Sequence, residues 1–425
     1  MIDQSSLVRR RRVFHLPGYD PFPPRRYREL YRTEAAKQAA ISGYQIDVQG
    51  AKSDDSFAWL VNARIDGHEV LSRVEVLVWS DIVQVSMAQS IPATYWQLIR
   101  TAWIYTASGT LRRLMWMRKG PVIAALYPAL MLILQLILAL LVGRFLGNLV
   151  LGGVAGFVTF IGVSDGWFFA VLMGLGTALK LLIWGGVVVL LLRFFKAQDG
   201  RLFAYYLMHD YAFTAQNNGA TADPLQERLV AFADQIAVAL ADENVDEVLV
   251  VGHSSGAHLA VSIIADVLRK DRVRAGGPAL GLLTLGQAIP MVSFLPGAGH
   301  IRGDLVRLST ATNITWVDVS APGDGCSFAL CDPVAVTGLT PPGKKWPLVI
   351  SAAFTQSLSP KRWQELRWRF FRLHFQYLCA FDRPRDYDYF QITAGPVSLG
   401  ARYKDRPPSK SRIDVAASKY RSIAT

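Results

Sequence analysis

From Pro121 to Gly143 the chain carries no charged residue. This Leu/Ile/Ala-rich run is enough for about 35 Å of helix against a hydrocarbon core of about 30 Å. Two further apolar runs follow, Phe145–Ser164 and Gly166–Leu192, while long stretches of ordinary mixed sequence lie on either side. The mean hydropathy of +0.24 over 425 residues reflects this block. Any fold must therefore place a membrane segment in the middle of the chain.

The basic residues mark the ends of that segment. Arg112, Arg113, Arg118 and Lys119 precede it, and Arg193, Lys196 and Arg201 follow it. Only Arg144, Lys180 and Asp165 are charged in between. Basic flanks on both sides favour a cytoplasmic position for both ends. The net charge of +12 would also suit a nucleic-acid partner. No basic-aromatic recognition motif accompanies it, and nucleic acid is not expected. Met1–Arg12 has no apolar core and does not read as a signal peptide. Cys326, Cys331 and Cys379 form no disulfide or zinc pattern, which fits a reducing compartment.

Outside the apolar block the pattern alternates strands and helices. Val13–Leu16 reads as a strand ending in Pro17-Gly18-Tyr19-Asp20-Pro21, with a helix from about Arg25 to Ile41. Tyr44–Val48 and Phe57–Ile65 read as strands. Asp66-Gly67 is a hairpin signal before Glu69–Ser72, and Val74–Trp79 is a candidate central strand. A helical stretch, Ile91–Lys119, leads into the apolar block. Beyond it, Pro224–Leu240 is helical and Val248–Val251 is a short β-branched run.

That run ends in Gly252-His253-Ser254-Ser255-Gly256, and a helical pattern follows from Ala257 to Lys270. Buried strand, G-x-S-x-G and helix together form the context in which a serine sits on a sharp turn with its hydroxyl exposed. Here the chain resembles the serine hydrolases of the α/β-hydrolase superfamily, lipases and esterases among them. The resemblance covers about residues 8–81 and 200–400. It implies an α/β fold, a mostly parallel sheet flanked by helices, interrupted in this chain by a transmembrane helical hairpin. It implies acyl transfer through an acyl-enzyme on Ser254, with no metal or organic cofactor.

In the superfamily an acid and then a histidine follow the serine. Of the histidines at or beyond the elbow, His253 lies inside the motif and His258 is tied to the helix after it. His300 would precede the acid. His374 is left as the base. The acid is Asp324, in the turn Ser320–Gly325 after the strand Ile314–Val319, or alternatively Asp332. Asp318 lies within that strand and suits the role least. The backbone N–H of Ser255 is the expected second oxyanion donor. The first would come from Gly18 or Tyr19, since Pro17 has no N–H to give.

Both halves of one sheet must lie on one side of a membrane, so the number of full spans is even. The glycine-rich middle run is the poorest helix former. The expected domains are 1–118 and 197–400 as two parts of one α/β domain, with 119–196 as the insertion. Spans fall near 121–143 and 168–193, and 145–164 is a re-entrant or interfacial connection. Spans at the first two runs, with the third lying flat, are the alternative. Residues 401–425 read as a disordered tail. Two segments carry further expectations. Arg362–Tyr377 is a core helix with a basic face or an interfacial helix on anionic headgroups. Gly286–Gly303 is an apolar lid or pocket wall.

The function that follows is a membrane-anchored enzyme, catalytic side to the cytoplasm, whose partners are the bilayer and an apolar ester substrate. A thioesterase or acyltransferase would use the same residues. A membrane-anchored binding or scaffold protein of the same fold without turnover is the reading from another class.

Overall fold

The computed structural model describes residues 7–51 and 57–423. The first six residues of Met1–Arg12, residues 52–56 and the last two of the 401–425 tail therefore lie outside the described residues. Eight strands form one sheet: β1 (Arg10–Leu16), β2 (Gln45–Gly50), β3 (Ala58–Ile65), β4 (His68–Val76), β5 (Glu247–His253), β6 (Ala279–Leu285), β7 (Thr315–Ser320) and β8 (Leu348–Ser351). Their spatial order is β2-β3-β4-β1-β5-β6-β7-β8.

The sheet is mixed rather than uniformly parallel. From β4 through β1 to β8 every pairing is parallel, whereas β2–β3 and β3–β4 are antiparallel. The Asp66-Gly67 turn explains the antiparallel edge, because a two-residue connection can only return a strand beside itself. Glu69–Ser72 and Val74–Trp79 are not separate strands; both fall largely within β4. Residues Val248 to Val251 of β5 are fully buried, as both faces of a covered parallel strand require.

β1 and β5 are neighbours in the middle of the sheet, with Arg11 opposite Glu247. These two form a buried ion pair at 2.6 Å. Arg11 also donates to the Gly395 and Val397 carbonyls, and Glu247 accepts from the Leu399 amide. The pair is thus fully hydrogen-bonded, the condition for tolerating buried charge. It pins the amino ends of the central strands and leaves their carboxyl ends to carry loops. Strand order reverses at β1, and crevices beyond strand carboxyl ends at such switch points are where α/β sheets bind ligands.

The chain divides into two compact units. One comprises Met1–Ser86, Trp103–Ala124 and Thr214–Thr425, and holds the sheet. The other comprises Met87–Ala102 and Ala125–Phe213. Helices α1 (Arg25–Ser42), α2 (Ser80–Met87), α3 (Ile91–Ala107) and α4 (Thr110–Met117) precede two long ones, α5 (Lys119–Phe160) and α6 (Gly166–Ala197). Both long helices are apolar enough to cross a membrane, and only 22 % and 11 % of their most apolar stretches are buried. Such exposure separates them from the core helix of a soluble protein. The expected helix Ile91–Lys119 is broken into α3, α4 and the start of α5.

The glycine-rich run 145–164 is not a separate re-entrant element. It continues α5 to Phe160, and the turn to α6 lies at 161–165. Gly147 within the run packs on α6, where a Cβ would lie 3.0 Å from the Lys180 carbonyl oxygen, and Gly143 just before the run does the same. A Cβ at Gly143 would stand 2.6 Å from the Trp184 ring, and the Trp184 indole donates to the Leu140 carbonyl. Small residues that let two apolar helices touch are the usual glue between such helices. Helix propensity measured in water gives the wrong sign here.

The tail is another correction. Residues 404–423 run along the sheet unit rather than free of it. Ser409 donates to Val349, Ile413 to Leu330 and Ala417 to Val336, while Asp332 donates back to Ile413. Backbone hydrogen bonds hold it, so its polar composition does not reveal the packing.

Candidate active site

Ser254 follows β5 directly and adopts φ +56°, a region that non-glycine residues rarely occupy and that costs of order 1–3 kcal/mol. Its amide donates to the Leu285 carbonyl, and its own carbonyl accepts from Ala257. The helix Gly256–Arg269 starts two residues on. A Cβ at Gly256 would meet the Leu16 and Pro17 carbonyl oxygens at 2.3 and 2.5 Å, so only glycine lets the loop after β1 approach.

That loop lies on the serine. A Cβ on Gly18 would be 3.0 Å from Ser254 Cβ and 3.5 Å from its Oγ. Among the described residues, neither the Gly18 nor the Ser255 amide donates to another protein group. Trp79, three residues past β4, fixes the loop by donating its indole N–H to the Pro17 carbonyl at 3.0 Å. Tyr19 extends the loop's anchorage, with its hydroxyl 2.5 Å from Ser86 Oγ.

His374 and Asp324 are brought together: His374 Nδ1 is 2.8 Å from Asp324 Oδ2, and both side chains are buried. Burial pushes the Asp324 carboxyl up. His374, through charge and hydrogen bond, and then the Cys326 amide outweigh it, and the group titrates below its ordinary range. Asp324 is therefore a carboxylate, and His374 Nδ1 must carry the proton it accepts. In the neutral ring the lone pair falls on Nε2, the arrangement a proton acceptor needs. That Nε2 is buried with no hydrogen-bond partner, so it is not bonded to Ser254 in this structure.

The two sides nevertheless converge on one peptide. Ser254 N–H bonds to Leu285 O, and the next residue, Gly286, would place a Cβ 3.1 Å from His374 Cε1. Gly286 has φ +52°.

Two residues that the sequence reading did not assign a role support the pair. The Tyr377 hydroxyl donates to Asp324 Oδ2 at 3.0 Å and accepts from the Ala321 amide at 2.9 Å. Burial and then the Asp324 charge raise its pKa well above that of a free tyrosine. His253 stacks on His374 with ring centroids 4.7 Å apart, and its Nε2 is 3.0 Å from the His374 carbonyl oxygen. The only sequence signals were position: the variable residue of G-x-S-x-G, and a tyrosine one turn after the histidine.

Asp332 is employed elsewhere. Its Oδ1 caps the Val334 and Ala335 amides, and its Oδ2 pairs with Lys344 at 2.5 Å. Asp318 is buried in β7, accepts from Thr284 Oγ1 at 2.6 Å, and is pushed by burial up to about 8. His300 pairs with Asp304 at 3.0 Å. His258 is half-buried, and its desolvation pushes it down to about 4.

Asp324, Cys326 and His374 each offer one ligand atom within 4.8 Å of the others, and so could hold a metal ion. The Asp324–His374 hydrogen bond already engages two of these three residues.

The segment 362–377 is not one helix. It forms Pro360–Leu366, Phe370–His374 and a 3-10 turn at Phe375–Leu378. An unbroken interfacial helix is excluded, because Leu373 and Tyr377 are core residues while Trp368 is exposed. The apolar residues of Gly286–Gly303, from Ile289 to Leu295, are buried and form a wall, not an open lid. No family model, no curated protein and no solved structure matches the chain.

Proposed function

We propose that this chain is a membrane-anchored serine hydrolase of the α/β-hydrolase kind, acting on an ester of a lipid or other apolar acyl substrate. The observation that carries the reading is the strained Ser254 bonded to the Leu285 carbonyl, with the next residue, Gly286, packed on the His374 ring, whose Nδ1 is held by Asp324 and whose Nε2 is left without a partner. Ser254 Oγ forms a bond to the ester carbonyl carbon, and its proton passes to His374 Nε2. The amides of Ser255 and of Gly18 or Tyr19 hold the oxyanion, such donors being worth roughly 3–4 kcal/mol each. Collapse breaks the bond to the alcohol oxygen, which takes the proton from His374. Water then releases the acid by the same steps. Attack requires Ser254 and His374 to close the present gap, a tightening that substrate binding commonly brings.

Two long apolar helices support the anchoring, and their basic flanks favour a cytoplasmic sheet unit. The test is labelling by a fluorophosphonate probe in membranes, with Ser254→Ala as control. Strong labelling of the native chain alone is expected. Equal labelling of both would sink the reading. The unbonded Ser254–His374 pair favours one second reading, a membrane-anchored scaffold without turnover; absent labelling of folded protein would select it.

A further inference from the structure

Several large aromatic side chains of the sheet unit are exposed on segments that adjoin the loops carrying Asp324 and His374. Phe22 is 52 % exposed, Trp116 67 %, Trp368 72 % and Phe370 49 %. Their placement is not scattered. Phe370 packs on Gly325, one residue past Asp324, where a Cβ would lie 3.3 Å from its ring. Gly120, four residues after Trp116, faces the same glycine, and a Cβ there would lie 3.5 Å from the Gly325 Cα. On the other side, Arg26 stacks on both Phe22 and Phe375, the residue after His374.

Basic residues are interleaved with these rings. Arg112, Lys119, Arg367, Arg369 and Arg372 are all exposed, and among the described residues none forms an ion pair. Arg367 stacks on Trp368 at 5.6 Å. Glu365 is the neighbouring acidic group. Such a surface is too charged for the core of a protein–protein contact, which is depleted of charge. It has the composition of a headgroup layer's partner, with amphipathic rings at the interface and cations for anionic lipid. Continuity points the same way: from Lys119 the chain passes straight into the uncharged run Pro121–Gly143.

We infer that this rim is a docking surface for an anionic lipid leaflet, so that the loops carrying Asp324 and His374 meet the bilayer surface directly. The inference goes beyond the hydrolase reading and does not depend on turnover. If both hold, substrate reaches Ser254 from the lipid side.

The test is photocrosslinking of the full chain in phosphatidylcholine vesicles with and without phosphatidylglycerol. Phe22, Trp116, Trp368 or Phe370 is replaced by p-benzoylphenylalanine, with exposed Val238 as the control position. Adducts to lipid are expected at the four rim positions and not at the control, in the Ser254→Ala background as well. Phosphatidylglycerol should raise the yield, and an Arg367→Gln/Arg369→Gln/Arg372→Gln variant should remove at least about fivefold of it. Adducts to protein instead of lipid would assign the rim to a partner or second copy and overturn the inference, as would no adduct in protein that melts normally. Failure of labelling at Ser254 with lipid adducts intact would overturn only the hydrolase reading.

Discussion

His253 holds His374 by its main chain, through the 3.0 Å contact of its Nε2 with the His374 carbonyl oxygen. A carbonyl only accepts, so this Nε2 carries the proton. Burial and then the neighbouring His374 keep the His253 pKa well below 6.5, and the ring stays neutral. The residue between glycine and serine thus anchors His374 by its main chain.

His253→Phe keeps a ring but removes the side-chain hydrogen bond to the His374 carbonyl, worth about 1 kcal/mol. The variant should melt lower and react with fluorophosphonate more slowly, because the His374 main chain loses its anchor. His253→Gln, which can donate to the same oxygen, should recover most of both. Equal behaviour of the two variants would remove the anchoring role.

Asp324→Asn and Asp332→Asn separate the two carboxylates. An amide at 324 that donates to His374 Nδ1 would move the ring proton to Nε2, the wrong tautomer for accepting from serine. A fall in reaction rate on the order of 10⁴ is expected with the fold intact. Asp332→Asn loses the Lys344 pair and weakens a turn, so it should lower stability while the rate stays within a few-fold. Measured rates in the reverse order would make Asp332 the acid.

The elbow was legible because its requirements are local: a β-branched run, a serine between two glycines, an amphipathic helix. His374 followed from chain order and a short supply of histidines. What escaped was settled by distant partners. The position of β4 between β3 and β1 depends on pairing across the sheet. The 404–423 segment is held by backbone groups, which leave no side-chain pattern. In α5 the glycines that argue against helix in water include Gly147, which lets the chain pack against Lys180 of α6. Trp79 looked like the end of a strand, and nothing nearby in sequence announced Pro17 as its acceptor.

Trp79→Phe tests that anchor. The ring volume is largely kept, but the Pro17 carbonyl loses its donor and the Gly18 loop its fixed height over Ser254. Removing one oxyanion donor outright costs about 10²–10³ in kcat. A loosened loop should cost less, about tenfold, with KM for a water-soluble ester little changed. An unchanged kcat with a raised KM would show that the loop shapes binding instead.

Asp318 gives a pH signature opposite to that of the desolvated histidines. Desolvation pushes His15 and His258 down to about 4, so each takes a proton on unfolding below its ordinary 6.5. Their contribution is complete above 6.5 and is lost as pH falls towards 4, at about 1.4 kcal/mol per pH unit each. For Asp318, raised by burial from 3.8 to about 8, the folded state holds a proton that the unfolded chain releases. Stability from this group is therefore complete below 3.8 and declines as pH rises through that window. Asp318→Asn can still accept from Thr284 and cannot ionise. Its amide N–H₂ would occupy the place of Oδ2, which has no partner, a fixed penalty of about 1–3 kcal/mol. The variant should accordingly gain on the native chain by about 1.4 kcal/mol per pH unit from pH 5 up to about pH 8. Urea midpoints at pH 5, 6.5 and 8 measure this difference directly. A difference that stays flat across the three would mean that Asp318 is ionised in the fold, with a counter-charge still to be found.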